Sequence, residues 1–450
     1  MLSFGNGGGE DVIKSVLSVV LAGQLLAASL VAAQTTPRRL ADAPDDVVQG
    51  SAIHLVYAVA SDGQDRQLDT NGTLVRSALA WNNWLRTQTL GRGLRIDTAG
   101  GLPDITFVRL QQTESYFEGK GANIRDALEA ELGARGFLVP GKLYGVYYDG
   151  PALDVCGSSA RPPVLAGQVG ALYLRGHFSA PNIPPCSQNP FAPSPLASPG
   201  YIEAAMAHEL LHVMGYVPQC AAHTTGDGHV NDDPRDLMYA GPQPWTYSTL
   251  DAGHDDYFGH GRPDCPDLAR DPYVEAPDPV ASTGVTKVTE FYNAALNRYF
   301  RTSAPAEAQS LRSNAQTGEL DTGFAFKAWS IDGAPAGTVQ VCRFYGSVSP
   351  GPNSHFFTAD PDECAALRAL QTATPPTTRR WNFEGYAFAV KLPVQGICPA
   401  DAPIAIYRNY NNGFTRNVDS NHRFTTSPGV YQAMAAQGWA AEGVVMCTPA

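Results

Sequence analysis

The spacing of apolar residues along the chain predicts strands and helices in its first half. Runs rich in apolar residues predict a buried strand at residues 53–59 and further strands at residues 94–96, 105–110, 143–148 and 171–174. Apolar residues three or four positions apart predict helices at residues 74–85, 124–132 and 201–214. Strands that alternate with helices in this way indicate an α+β domain, in which a mixed sheet packs against helices.

Aromatic residues dominate the pattern in the second half, where three segments keep a common order of features. Each has an aromatic pair, then a four-residue step that ends in threonine, and then a glycine-containing apolar run. The threonines Thr302, Thr358 and Thr425 are 56 and 67 residues apart. Repetition of this kind predicts an all-β module with pseudo-threefold symmetry, of which a β-trefoil is the simplest form.

The repeated aromatic residues have two candidate roles. The three repeats resemble a short aromatic unit found in accessory modules of secreted bacterial proteins. Exposed rings would bind a cell-wall or carbohydrate ligand, whereas buried rings would recur because they pack the core of each repeat. Packing is the role that we expect.

Composition divides the chain into four parts. An apolar run that ends in small residues predicts a signal peptide over residues 1–33, cleaved after Ala33, with a single membrane anchor as the alternative. No later run has the roughly 18 apolar residues that cross a bilayer, so we expect no membrane contact after signal removal. Residues 50–270 form the first domain, residues 271–286 are a Pro-, Ala- and Ser-rich linker, and residues 287–450 hold the repeats.

Charge and cysteine content favour a secreted protein. The formal net charge of −12 provides no basic surface to neutralise phosphates, which argues against a nucleic-acid partner. All eight cysteines follow the predicted signal peptide and none forms a C-x-x-C pair, so we expect disulfides and an extracellular or periplasmic location. Their order favours the pairs Cys156–Cys186 and Cys220–Cys265.

The sequence HELLH at residues 208–212 carries the chemistry expected of the first domain. His208 and His212 lie one helical turn apart on one face, where both imidazoles can reach one ion. Neutral imidazole suits zinc, and Glu209 is close enough to act as general base toward a water molecule. The alternative is a helix with two satisfied histidines, because so short a pattern also arises by chance.

Two downstream features extend this motif. Gly215 follows His212 by three residues, and glycine readily ends a helix in the left-handed conformation. Residues 236–239, Asp-Leu-Met-Tyr, match a Met-containing turn. Together these features resemble the metzincin clan of zinc peptidases, in which H-E-x-x-H-x-x-G-x-x-H precedes a Met-turn beneath the metal. The resemblance implies a metzincin-like fold, with Met238 under the ion and substrate extended along an edge strand, for which residues 171–174 are the candidate.

The third ligand departs from the family pattern, because Pro218 stands where metzincins have a histidine. His223 and His229 both follow closely. The run from His229 to Met238 resembles the matrixin stretch in which the third histidine precedes an Asp-Pro step and then Leu-Met-Tyr. We therefore predict His229 as the third ligand and His223 as its alternative. An aspartate ligand stays open at positions Asp227, Asp232, Asp233 and Asp236.

These observations predict a secreted zinc endopeptidase that acts on protein or peptide substrates. Its metal ligands would be His208, His212 and His229, and Glu209 would be the general base. The acidic stretch at residues 251–267 is a candidate for oxygen ligands of Ca²⁺. The alternative function is a non-catalytic secreted binding or adhesion protein with a structural zinc site.

Overall fold

The structure of the protein is a computed structural model that describes residues 37–42, 50–178, 185–276 and 284–450. The predicted signal peptide with its cleavage point at Ala33 lies outside these residues. Within them the chain has a mixed α+β architecture with several sheets and a β-rich second half, which confirms the predicted fold class at this level. In the described part of the chain, no helix is long and apolar enough to cross a membrane.

The described residues of the first domain form seven strands. They are β1 (Ala52–Val59), β2 (Thr98–Ala99), β3 (Leu102–Pro103), β4 (Ile105–Arg109), β5 (Lys142–Tyr148), β6 (Gly157–Ser159) and β7 (Val169–Tyr173). Strands β2 and β3 form a hairpin, and the other five form one sheet in the order β4-β1-β5-β7-β6. All pairs in this sheet are parallel except β6 with β7. The predicted strand at residues 94–96 makes only isolated bridges, from Leu94 to Val274 and from Ile96 to Ile53.

Helices cover both faces of this sheet. They are α1 (Thr73–Gln88), α2 (Glu114–Glu118), α3 (Ile124–Gly133) and α4 (Tyr201–Val213). Trp81 of α1 and Leu210 of α4 belong to the core of one face, and Leu128 of α3 belongs to the core of the other. Glycine in β5 lets α4 approach the sheet closely, because a Cβ at Gly145 would lie 3.2 Å from the sulfur of Met206. The helix that carries the HELLH motif is therefore seated directly on the central strands.

Strand β6, not β7, forms the edge of the sheet on this side. Gly157 lies opposite Leu172 and Ser159 lies opposite Gly170, so β6 pairs with residues 170–172 of β7. The prediction that residues 171–174 form the edge strand is therefore wrong. A three-residue Gly-Ser-Ser strand is too short and too polar for an apolar pattern to predict it.

The chain from the end of α4 to residue 276 has no strand and no helix beyond the single 3₁₀ turn Leu268–Arg270 among its described residues. Its last part packs on the first domain. Arg95 N donates to Tyr273 O (2.7 Å) and Glu275 N donates to Gly93 O (2.9 Å). The beginning of the predicted linker at residues 271–286 is thus attached to the first domain, and residues 277–283 lie outside the described residues.

Each repeat of the second half has the order strand, strand, helix, strand. The elements are β8 (Val285–Asn293), β9 (Arg298–Thr302), α5 (Pro305–Ser313), β10 (Glu319–Trp329), β11 (Val339–Tyr345), β12 (His355–Thr358), α6 (Pro361–Ala373), β13 (Asn382–Val390), β14 (Ile404–Tyr410), β15 (His422–Thr425), α7 (Pro428–Ala436) and β16 (Ala440–Thr448). The sheets have the orders β12-β11-β13-β10-β8-β9 and β15-β14-β16. The module is β-rich, and the prediction of an all-β module is corrected by its three helices. These helices also set the unit apart from the purely β unit expected of a β-trefoil.

Equivalent hydrogen bonds join the three repeats into a closed ring. The donor in each repeat is the side chain of the residue that precedes Tyr299, His355 or His422. It donates to a backbone carbonyl of the next repeat. The three pairs are Arg298 to Asn353 O, Ser354 to Ser420 O, and Asn421 to Asn297 O. Because the third repeat bonds back to the first, the three units close on themselves.

All eight cysteines form disulfides. The pairs are Cys156–Cys186, Cys220–Cys265, Cys342–Cys364 and Cys398–Cys447. Both pairs favoured by the order of the cysteines are confirmed. Four disulfides are typical of proteins that fold in an oxidising compartment.

Candidate metal centre

Three histidines converge beside helix α4. The helix presents His208 and His212, and the irregular segment after it returns His229 to the same place. The candidate ligand atoms of the three residues all lie within 4.8 Å of one another. Nε2 of His212 is 3.1 Å from Nε2 of His229. The structure thus brings together the two motif histidines and the predicted third ligand, with no other candidate ligand in the group.

The Met-containing turn holds this arrangement from below. His208 Nδ1 donates to Leu237 O (2.7 Å), since a carbonyl oxygen can only accept, and this leaves Nε2 of His208 free of its proton. Next to His229, Val230 N donates to Met238 O (3.1 Å). Asp236 Oδ1 accepts from Met238 N (2.7 Å) and shapes the turn. One turn therefore fixes both the ring of His208 and the chain beside His229.

Burial makes these histidines neutral. It lowers the pKa of His208 to about 3, lowers the pKa of His212 well below its ordinary value, and lowers the pKa of His229. A neutral imidazole keeps a lone pair on one ring nitrogen, which is the form that binds a metal ion.

The donor set fits zinc. Two nitrogens bound tetrahedrally at 2.0–2.1 Å would be about 3.3 Å apart, close to the 3.1 Å between His212 and His229. Ligating histidines are normally oriented by a partner on the other ring nitrogen. His208 has Leu237 O in this role, and His229 Nδ1 lies 3.2 Å from Asp227 Oδ1. His212 Nδ1 is buried and has no such partner among the described residues.

Glu209 is held by the edge strand β6. Ser159 Oγ donates to Glu209 O (2.8 Å) and also contacts the carboxylate oxygen Oε2. Gly157 leaves room for the carboxylate, because a Cβ there would lie 2.6 Å from Glu209 Oε1. Burial raises the pKa of Glu209 to about 7, against the opposing hydrogen bond from Ser159. The carboxylate therefore lies between the motif helix and the edge strand.

Several residues around the site carry no sequence signal that would have identified them. Ser159 and Gly157 belong to a strand that the apolar pattern does not show. Trp245 lies in a proline-rich loop, where its ring centroid is 5.6 Å from that of His208 and its Nε1 donates to Asp236 O (2.8 Å). Arg161 Nη2 lies 3.9 Å from a carboxylate oxygen of Asp227. A pattern of residue types could not place these side chains, because their positions depend on the path of the loops.

Three of the alternative ligands, His223, Asp232 and Asp233, lie outside this group. His223 forms a separate group with Asp255 and Asp256, where Asp256 accepts from both the backbone N–H (2.6 Å) and Nδ1 (3.0 Å) of His223. This hydrogen bond raises the pKa of His223. Asp232 lies 3.6 Å from His223, and Asp233 pairs with Arg235.

In the acidic stretch at residues 251–267, aspartate carboxylates accept hydrogen bonds from backbone N–H groups of the same stretch. Asp251 Oδ2 accepts from Tyr257 N and Phe258 N, and Asp267 accepts from the N–H groups of Gly259 and Gly261. These bonds give Asp251 Oδ2 and the Asp267 carboxylate structural partners, and calcium binding stays a prediction.

Comparison with known proteins concerns the second half of the chain. The family described as a domain of unknown function (DUF5648) matches residues 287–448, a little over a third of the chain. This range covers the three repeats. No curated protein matches the chain.

Proposed function

We propose that this protein is a secreted zinc endopeptidase of the metzincin type. Its ligands are His208, His212 and His229, and Glu209 is the general base. The observation that carries the proposal is the convergence of three neutral imidazoles above the Met238 turn, with a buried carboxylate on the same helix. The signal peptide predicted over residues 1–33 and the four disulfides accord with secretion.

The side chains divide the reaction between them. Bound zinc would polarise the scissile carbonyl and acidify a water molecule. Glu209 takes the proton of the attacking water and passes it to the amine that leaves. Ser159 keeps the Glu209 carboxylate turned toward the edge strand. The three imidazoles stay neutral because they are buried.

Strand β6 is the surface on which an extended substrate would lie. It has β7 as its neighbour on one side, and no described strand pairs with its other side. A peptide can add to such an edge through backbone hydrogen bonds. Because Ser159 of this strand touches Glu209, a peptide paired with β6 passes close to the general base. The arrangement of parallel strands, antiparallel edge strand, motif helix and irregular lower part supports the metzincin comparison.

The proposal is tested with Glu209→Gln, which keeps the size of the side chain and removes the base. The full mature chain and the variant are assayed for zinc content and for cleavage of casein and a peptide library. We expect one zinc per chain in both proteins and a loss of activity of about 10²- to 10⁴-fold in the variant.

Two controls separate this function from its alternative. Ser159→Ala keeps the base but removes its support, so it should lose less activity than Glu209→Gln. The thermal unfolding midpoints show whether each variant is folded. Equal cleavage by parent and Glu209→Gln would remove Glu209 from its role. Stoichiometric zinc without cleavage of any peptide by the parent would favour the non-catalytic binding protein.

A further inference from the structure

A large cavity lies between the first domain and the first and third repeats. Its volume is about 1020 Å³, which is at the upper end of the range typical of ligand sites. The first domain contributes apolar side chains, among them Leu79 of α1, Leu102 of β3 and Leu196. The repeat module contributes the opposite wall. Junctions between domains are preferred places for binding sites.

Three aromatic rings form the module's wall. Tyr292 of β8 and Tyr299 of β9 are directly opposite each other in the strand register, with ring centroids 4.7 Å apart. The ring of Trp439 lies 6.2 Å from that of Tyr299. All three are partly exposed, whereas the adjacent Phe291 and Phe300 are buried in the module core. The two phenylalanines therefore pack the core of the repeat, whereas the three other rings lie at the surface of the cavity.

The other repeats contain a tyrosine–histidine pair at the equivalent positions, under longer loops. Tyr345 stacks on His355 and Tyr410 stacks on His422. The loops between the two strands cover residues 346–354 and 411–421 in these repeats but only residues 294–297 in the first. The short loop leaves space above the ring pair of the first repeat, and the first domain closes that space from the other side.

The cavity offers hydrogen-bonding groups without an unpaired charge. Among the described residues that line it, only Arg423 is charged, and its guanidinium is bonded to the carboxylate of Glu290 (2.9 and 3.2 Å). The amide side chains of Gln316 and Gln437 line the same space. The indole N–H of Trp439 has no hydrogen-bond partner in the described part of the chain, so it too can bind a ligand.

We propose that this cavity binds a neutral oligosaccharide. Aromatic faces pack against the C–H face of a sugar ring, and amides and an indole N–H satisfy hydroxyl groups in both donor and acceptor roles. An acidic glycan is disfavoured, because its carboxylates would lose water on entering the cavity and would find no unpaired cation there. The site would attach the protein to a polysaccharide next to the first domain. It does not depend on the metal centre.

The test uses the full mature chain and three uncharged probes: chitohexaose, cellohexaose and maltohexaose. Binding is measured by isothermal titration and by the fluorescence of tryptophan. We expect at least one probe to bind the parent and Trp439→Ala to weaken that binding by about tenfold or more, as expected for loss of an aromatic contact. The matched control is Trp381→Ala, the equivalent tryptophan of the second repeat, which does not line the cavity and should change the affinity less than about twofold.

A second variant guards against loss of folding. Leu196→Trp adds bulk to the cavity from the first domain and changes no residue of the repeats, and it should also weaken binding while the unfolding midpoint stays near that of the parent. Failure of all three sugars to bind the folded parent overturns the proposal, as does an equal loss in Trp381→Ala and Trp439→Ala. An uncharged proline-rich peptide is titrated in parallel. If it binds through Trp439 and the sugars do not, the cavity is a peptide site instead.

Discussion

His229 and His223 lie in the same irregular segment, six residues apart, yet their surroundings are opposite. His229 is buried beside two other imidazoles, and burial lowers its pKa. The side chain of His223 is 39% exposed and faces carboxylates of Asp256, Asp255 and Asp232. The hydrogen bond to Asp256 raises the pKa of His223.

This contrast shows that the environment, not the residue type, decides whether a histidine can bind a metal. A ring among neutral rings keeps its lone pair, whereas a ring among carboxylates keeps its proton. His223 Nδ1 is already used by Asp256, while Nε2 of His229 points toward His212. The two histidines therefore serve as matched controls for one another.

The largest expected difference is between His229→Ala and His223→Ala. Loss of a direct ligand should weaken zinc binding by more than about 100-fold, which exceeds the usual cost of losing an outer partner, and peptide cleavage should fall with the metal. His223→Ala should keep one zinc per chain and most of the activity. Zinc content after dialysis and peptide cleavage measure both. Zinc loss in His223→Ala with retention in His229→Ala would reverse the assignment.

Much of this centre could be predicted from the sequence, and the reason is local geometry. His208, Glu209 and His212 lie within one helix, so their spacing alone determines that the two rings share a face. His229 required a resemblance, because no periodicity links it to the helix. Ser159 was beyond prediction, since it reaches Glu209 through a short polar strand that forms only when the whole sheet is assembled.

The disulfide Cys220–Cys265 is the next largest test. It closes 45 residues that include both histidines, and its loss should lower the free energy of unfolding by about 4 kcal/mol. The double variant Cys220→Ala/Cys265→Ala is compared with Cys398→Ala/Cys447→Ala, which opens a similar span of 49 residues in the repeat module. Urea unfolding should show similar losses in the two.

Zinc affinity then distinguishes the two double variants. Only the first should bind zinc more weakly, because only that disulfide restrains the segment that positions His229. A zinc affinity unchanged by loss of Cys220–Cys265 would mean that the Met238 turn alone holds His229 in place. Equal zinc loss in both double variants would point to a general effect of unfolding.

A smaller effect on zinc affinity is expected when the carboxylate charge beside His229 is removed. Asp227→Asn removes the charge that lies 3.2 Å from His229 Nδ1, and it should weaken zinc binding by about tenfold, the low end for an outer partner, because Asp227 is largely exposed. Asp256→Asn makes the same change behind His223 and should leave zinc affinity unchanged. Competition with a chromogenic chelator measures both. An equal response of the two variants would contradict the separation of the clusters.

The repeat module was less predictable than the metal centre. The recurring threonines and aromatic residues indicated three related units, which the structure has. The helices α5, α6 and α7 were missed, since each has only one or two buried residues and so shows little apolar periodicity. The ring of hydrogen bonds from Arg298, Ser354 and Asn421 uses three different side chains at one equivalent position, so no repeated letter marks it.

The smallest expected effect is a pH dependence of stability from His223. Its folded-state pKa is raised, chiefly by Asp256, so protonated His223 stabilises the fold. This contribution is complete below the ordinary histidine pKa of about 6.5 and is lost as the pH rises through the raised value. The thermal unfolding midpoints of the parent and His223→Gln, both in excess zinc, should therefore differ more at about pH 5.5 than at about pH 9.

In the Asp256→Asn background the difference should shrink at low pH, since the main partner is gone and only Asp232 and Asp255 remain nearby. Parallel curves for parent and His223→Gln across this range would show that His223 gains nothing from its carboxylates, and the contrast with His229 would then rest on burial alone.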